Sequence, residues 1–261
     1  IRGEGKDVQR TVFNEDHEAF RKTIRDFIAK EVVPVHHDWE KQGHPPREFY
    51  NKLGELGVLG IEAPEEYGGG GEHDFTYSMV IAEECALAGV TFGSYSVHAN
   101  LILPYLMEYA TDEQKQRWLP GFCSGELMFA IAMTEPGTGS DLANISTTAR
   151  LSEDGDHYIL DGAKTFITGG ALADRILVVC RTSDFDPDNR RGGLSILVVD
   201  TSSEGFAVGR KLEKIGLKAS DTAELSFSSV RVPVTDRLGD EGAGFRYVTH
   251  NRAQERLTIA I

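Results

Sequence analysis

The chain reads as an α+β protein: an all-α amino-terminal domain over residues 1–125, a β-barrel-like middle domain over 126–240, and a returning helix over 241–261. Three observations predict this. Before Gly125 the apolar residues recur every three or four positions, the period of an amphipathic helix. After Gly125 they fall into short runs bounded by Gly, Asp and Asn, as strands do. Helical spacing returns after Gly244.

Residues 1–13 are polar and mixed, and a loosely held arm is expected. Asn14 is a good N-cap, and Phe20, Ile24, Phe27, Ile28 and Val32 follow on one helical face until Pro34 interrupts. His36 and His37 are adjacent and so point to different faces, which favours core-edge or solvated roles over metal ligation. Pro45 and Pro46 open a short helix through Leu56, and the glycines at 68–71 read as a flexible turn. Residues 75–87 form an apolar helix with Glu83 and Glu84 on its wetter side, and 94–109 form a mainly buried one. A further helix over 112–122, capped by Thr111 or Asp112, carries Trp118 inward.

Strands are expected at 127–133, 145–151, 157–160, 163–168, 175–181, 194–199, 206–210 and 223–232, with Asp161-Gly162 as a hairpin turn. The charged stretch 184–193 is read as a solvated insertion, and Pro233 as the close of the strands. In the last helix Phe245, Tyr247, Val248 and Leu257 are expected to share an inward stripe. That helix stops at Ile261 with no cap, glycine or proline, and a continuation is expected.

The most informative stretch is Phe129-Ala-Ile-Ala-Met-Thr-Glu-Pro-Gly-Thr-Gly-Ser-Asp141. It opens as a buried strand and breaks at Pro136 into a loop whose glycines allow φ > 0 and whose hydroxyls offer uncharged donors to a heterocycle or phosphate. It is neither a triphosphatase phosphate loop nor a dinucleotide fingerprint, since Gly-Lys-Ser/Thr is missing and the glycine spacing is wrong.

Composition narrows the function classes. With 40% hydrophobic and 26% charged residues over 261 positions the chain is an ordinary globular one. A net charge of −14 argues against general binding to nucleic acid or anionic membranes, so any phosphate must be met by local groups. Cys85, Cys123 and Cys180 are widely spaced and read as small buried apolar residues in a reducing compartment, with no metal or disulfide framework. No run is long enough to span a bilayer.

The loop at 129–141, the segment Tyr158-Ile-Leu-Asp-Gly-Ala-Lys-Thr-Phe-Ile-Thr-Gly-Gly170, and the ordered motifs at 209–211, 217–225 and 242–245 together resemble the acyl-CoA dehydrogenase family of flavoproteins. Gln254-Glu-Arg-Leu257 brings the pattern nearest the long-chain type. The resemblance implies an FAD-dependent oxidoreductase that converts a fatty acyl-CoA to the trans-2-enoyl-CoA and passes electrons to an electron-transfer flavoprotein. It further implies that 241–261 is the first helix of a carboxy-terminal helical bundle that is mostly missing here, and a homodimer or homotetramer, in the cytoplasm of a bacterium or in the mitochondrial matrix of a eukaryote after removal of a leader. Ile131, Met133, Thr134, Gly139, Ser140, Phe166, Ile167 and Thr168 match flavin-contacting positions, with Phe166 where many members carry tryptophan. Ser140, Arg246, Tyr247, Ala253, Gln254 and Arg256 match positions near the CoA substrate, and Glu255 matches the catalytic base of the long-chain type. A carboxylate facing an apolar pocket has the raised pKa that proton abstraction needs. Alternatives are an acyl-CoA oxidase or flavin monooxygenase of the same fold, or a non-catalytic acyl-CoA-binding subunit.

Overall fold

The computed structural model describes residues 11–260, so most of the expected arm at 1–13, together with Ile261, lies outside the described residues. Helix α1 (Glu15–Phe27) begins where the sequence places it. The Asn14 side chain accepts from the His17 amide at 3.0 Å while the His17 ring accepts from the Asn14 amide at 3.1 Å, satisfying two of the donors that a helix start leaves orphaned. The helix widens into a π-turn over Ile28–Val32, and Ile24, Ile28 and Val32 pack among Phe49, Leu53 and Phe92.

Helix α2 (His36–Gln42) ends at Gly43, whose φ of 89° suits glycine. His36 is buried and accepts from the Thr91 amide at 3.0 Å, whereas His37 is exposed. Among the described residues no group of three or more His, Cys, Asp or Glu is placed to hold a metal ion. Helices α3 (Arg47–Glu55) and α4 (Thr76–Ala88) follow. Here one expectation is corrected. Glu84 does not face water: it is 3% exposed, and its carboxylate accepts from Arg25 at 2.8 and 2.9 Å and from Arg21 at 3.2 Å, fastening α4 to α1. A π-turn at Val97–Ile102 leads into α5 (Leu103–Tyr109), and Thr111 and Gln114 form a second capping box at the start of α6 (Asp112–Ser124).

The strands are β1 (Phe129–Ala132), β2 (Thr148–Leu151), β3 (His157–Thr168), β4 (Arg175–Arg181), β5 (Leu194–Asp200), β6 (Phe206–Lys211), β7 (Thr222–Pro233) and β8 (Arg237–Leu238). They form one eight-stranded sheet in the order β6-β7-β3-β2-β4-β5-β8, with β1 parallel to β4. The expected barrel does not close. β6 and β8 are the ends of an open path, because β1 and β2 lie in succession along the same edge of β4. Strands β4 and β5 are covered on both faces, which is why they read as unbroken apolar runs. Leu177, Val179, Ile196 and Val198 pack with Tyr105, Trp118, Phe122 and Val248 of the helices, while Ile176, Val178, Leu197 and Val199 pack on the opposite face with Leu160, Phe227 and Val230.

Asp161-Gly162 is a bulge within a continuous β3, not a hairpin turn. The register against β7 slips between Leu160 and Gly162, and a Cβ on Gly162 (φ 153°) would lie 2.5 Å from Thr147 Oγ1. Asp161 accepts from the amide of Ser229, itself at φ 53°, at 2.7 Å. A turn and a bulge demand the same residue types, so the sequence signal was ambiguous. Pro233 does not close the strands either, since β8 follows before α7 (Gly244–Ala260). Gly244 lets α7 start directly on β5, where a Cβ would come within 2.8 Å of the Leu194 carbonyl. Tyr247 and Val248 face the core as expected, but Leu257 is 48% exposed and leaves the stripe.

Candidate functional site

The helical segment 97–109 gathers the candidate residues, because β1 packs on one part of it and α7 on another. Its anchor is His98, fully buried and stacked on Phe122 with ring centroids 3.6 Å apart. Burial lowers the imidazole to about 3, so it is neutral at physiological pH. The ring accepts from the Phe129 amide through Nδ1 at 3.1 Å and donates through Nε2 to the Phe122 carbonyl at 3.1 Å, which fixes the tautomer and the start of β1. The turn after β3, at Gly169, closes on the same place, since a Cβ there would be 3.0 Å from Ser94 Cβ and 3.8 Å from that of Ala130.

The end of β1 and the end of β3 are tied to each other. Thr165 donates its amide to the Thr134 carbonyl at 2.9 Å, and Lys164 reaches across to the carbonyls of Met133 (3.0 Å) and Val179 (2.7 Å) and to the Glu135 carboxylate (2.9 Å). Both charged groups are buried. Burial pushes Glu135 up, but the Lys164 charge and the donors of Ser146 and Thr147 outweigh it and hold the carboxyl at about 2. On the Lys164 side burial is the larger effect and lowers the pKa, while the Glu135 charge opposes it. Neither partner was singled out from sequence; a lysine inside an apolar strand, facing a glutamate one step beyond another, is the signal that was there to find.

This brace holds a concentration of groups that the fold does not itself use. Ile131 and Ile167 are buried, so only their backbones are available outward, while Met133, Thr134 and Thr168 are half-buried. The hydroxyls of Thr134, Ser140 and Thr168 have no hydrogen-bond partner among the described residues. Phe166 sits at φ 59°, where the β3–β7 register slips a second time, with its ring 66% exposed. A non-glycine residue held left-handed costs on the order of 1–2 kcal/mol, and an exposed ring recovers little of it by packing. Gly137 and Gly139 correct the sequence expectation: neither takes a positive φ, and a Cβ on either would meet nothing within 4 Å. Nothing in the chain's own packing requires them.

Beyond Gly139 the loop borders a cleft of about 430 Å³ lined by Ser140, Arg190, Arg191, Phe245 and Arg252 among others. The stretch 184–193 is solvated as expected, with residues 184–191 exposed, yet it is tied to the cleft at several points. Arg190 pairs with Asp141 at 2.5 Å, Arg191 lies over Phe245, and the buried Arg181 donates to the carbonyls of Ala143 and Gly192. Three arginines line this cleft together with the carboxylates of Asp141 and Asp188.

Glu255 lies on α7 one turn beyond Arg252. Its Oε1 accepts from the hydroxyl of the fully buried Tyr105 at 3.0 Å, and the neighbouring Gln254 donates to the Asn100 carbonyl in the π-turn at 3.4 Å. Burial raises the Glu255 pKa, and Tyr105, Arg252 and Arg256 offset part of the rise. Tyr105 was missed by sequence reasoning, one apolar-looking residue among many in a buried helix. Arg246, Ala253 and Arg256 are exposed, with Arg246 3.9 Å from Asp240. Tyr247 takes the inward position that the α7 stripe gives it. It is 4% exposed, stacked on Tyr109 at 3.8 Å, and its hydroxyl accepts from the Asp240 amide at 2.9 Å, so the side chain is core.

Two family models match the chain, the acyl-CoA dehydrogenase N-terminal domain over residues 14–126 and the acyl-CoA dehydrogenase middle domain over 130–230. The mitochondrial long-chain specific acyl-CoA dehydrogenase of Sus scrofa is 42% identical over 251 residues, which are 96% of this chain and 57% of that protein. The crystal structure of acyl-CoA dehydrogenase from Geobacillus kaustophilus aligns with a TM-score of 0.91 at 49% identity, covering 97% of this chain and 65% of that one. An acyl-CoA dehydrogenase from Bacillus anthracis, solved in complex with FAD, aligns with a TM-score of 0.84 at 32% identity over 94% of this chain and 41% of that one. This chain therefore spans a little over half the length of its porcine relative.

Proposed function

The chain belongs to the acyl-CoA dehydrogenase family, and from that premise we propose that it binds FAD and a fatty acyl-CoA and takes part in α,β-dehydrogenation of the thioester to the trans-2-enoyl-CoA. The observation that carries the proposal is Glu255, a half-buried carboxylate with a raised pKa on a helix packed against the segment that also supports β1. In this role Glu255 takes the α-proton as the carbon–carbon double bond forms and the β-hydrogen leaves as hydride.

The unpartnered hydroxyls of Thr134, Ser140 and Thr168, the open backbone at Gly137 and Gly139, and the strained, exposed Phe166 ring suit a flat heteroaromatic ring with a phosphate tail. Bound FAD supplies the two-electron acceptor for the hydride. Thr134 and Thr168 orient that ring by hydrogen bonds, and Phe166 covers one part of it. Arg190, Arg191 and Arg252 in the cleft beside Ser140 provide the local positive charge that CoA phosphates need on an acidic protein. Ala253, Gln254, Arg246 and Arg256 border the same substrate, Tyr247 acting only as support beneath them. An electron-transfer flavoprotein as reoxidant and a homodimer or homotetramer complete the proposal, together with a matrix or bacterial cytoplasmic setting by analogy with the relatives. Among the described residues no helix is long and apolar enough to cross a membrane.

Anaerobic addition of a series of acyl-CoA thioesters to the flavin-loaded protein tests the proposal. Loss of the oxidised flavin band together with formation of an enoyl-CoA is expected. A flavin spectrum unmoved by every thioester in the series would overturn it.

A further inference from the structure

Tyr105 is buried to 0% exposure, and its hydroxyl is directed at Glu255. Its hydroxyl donates at 3.0 Å, and burial, followed by the nearby Glu255 charge, pushes the phenol far above its ordinary value, so it remains a donor throughout the accessible pH range. The ring is locked between the core of α5 and the edge of Tyr109, which lies 6.2 Å away and stacks in turn on Tyr247 of α7. A hydroxyl has one hydrogen to donate, so it engages Oε1 and leaves the second carboxylate oxygen free of this bond. The remaining groups near Glu255 are weaker candidates for the task. Arg252 and Arg256 belong to its own helix and act through charge, and His250 pairs with Glu108 of α5 at 3.6 Å. His98, in the π-turn packed on α7, spends both ring nitrogens on backbone groups.

We propose that Tyr105 is a positioning residue for Glu255: it fixes the orientation of the carboxylate and, by donating to the ionised form, sets the pH at which Glu255 becomes competent as a base. This rests on the assignment of Glu255 as the base. A hydrogen bond to the ionised form lowers a carboxyl pKa, so its removal raises it. Proton abstraction requires the carboxylate, so the rate rises with pH through that value, and removing the hydroxyl moves the rise to higher pH.

The test compares Tyr105→Phe with Glu255→Gln in the flavin-loaded protein, following the pH dependence of anaerobic flavin reduction by an acyl-CoA. Tyr105→Phe keeps the ring and is expected to move the midpoint up by about one pH unit, with roughly tenfold slower reduction below it. Fluorotyrosine at position 105, a stronger donor of nearly the same shape, is expected to move the midpoint the opposite way. This second variant carries the test if the phenylalanine variant fails to fold. In the flavin-free protein, infrared titration of the Glu255 carboxyl, assigned by its loss in Glu255→Gln, is expected to shift in the same directions. Reduction that persists in Glu255→Gln would remove the underlying assignment. Reduction lost in Glu255→Gln with an unmoved midpoint in both Tyr105 variants would leave that assignment standing and overturn the role of Tyr105.

Discussion

Replacing Lys164 by Met strips the counter-charge from Glu135 and withdraws donors from the carbonyls of Met133 and Val179 in one step. Breaking a buried ion pair by removing one partner costs about 3–5 kcal/mol, because the other charge is left in a medium that cannot solvate it. Against a total stability of about 5–15 kcal/mol for a protein domain, that is a large fraction. The acid dependence gives an independent handle. Each tenfold change in proton affinity is worth about 1.4 kcal/mol, so holding Glu135 from 4.5 down to about 2 stabilises the native state by roughly 3 kcal/mol. The sign follows from a depressed carboxyl: this stabilisation is complete above 4.5 and is lost as pH falls through 2. Urea unfolding of the flavin-free protein, followed by circular dichroism between neutral and acid pH, measures both effects. Lys164→Met should lose at least about 3 kcal/mol at neutral pH and unfold at higher pH in an acid titration. The double variant Lys164→Met with Glu135→Leu should lose less than the two single variants combined by about 2 kcal/mol, since no charge is left stranded. A single variant costing under about 1 kcal/mol, or strict additivity in the double, would refute the buried-pair argument.

Asn14→Ala removes one half of the capping box at α1 and should cost about 1 kcal/mol by the same urea assay, whereas Asn14→Ser should restore most of it. Phe166→Gly relieves the left-handed strain at the second β3 bulge while losing little buried surface. It should therefore leave flavin-free stability within about 1 kcal/mol of the parent yet weaken flavin retention on gel filtration, and unchanged retention would count against a flavin-facing ring. Gly162→Ala places a methyl against Thr147 and should destabilise by more than about 1 kcal/mol, with an intact melting curve arguing that the bulge can relax.

What was legible in the sequence was chiefly local. Asn14 and Thr111 announce helix starts because a capping side chain and its targets lie within a few residues. Strands β4 and β5 are visible as apolar runs because burial on both faces removes the alternation. What escaped depends on distant partners. Glu84 reads as a wet-side glutamate until Arg21 and Arg25 of α1 are brought against it, and Lys164 reads as an ordinary strand lysine until Glu135 arrives beneath it. Asp161-Gly162 was misread because a bulge and a tight turn ask the same of the backbone. Within the site, the β1 and β3 residues stood out through motif and hydroxyl pattern and Tyr247 through its place on the inward stripe, but the donor at Tyr105 follows from how α7 lies on α5.

The most direct measurement of the central claim is anaerobic mixing of the flavin-loaded Glu255→Gln variant with an acyl-CoA that reduces the parent. Glutamine keeps the side chain's shape and its access to the Tyr105 hydroxyl but cannot take a proton. Full flavin content with no loss of the oxidised flavin band is the expected result. Reduction at the parent's rate would contradict the assignment of Glu255 as the base.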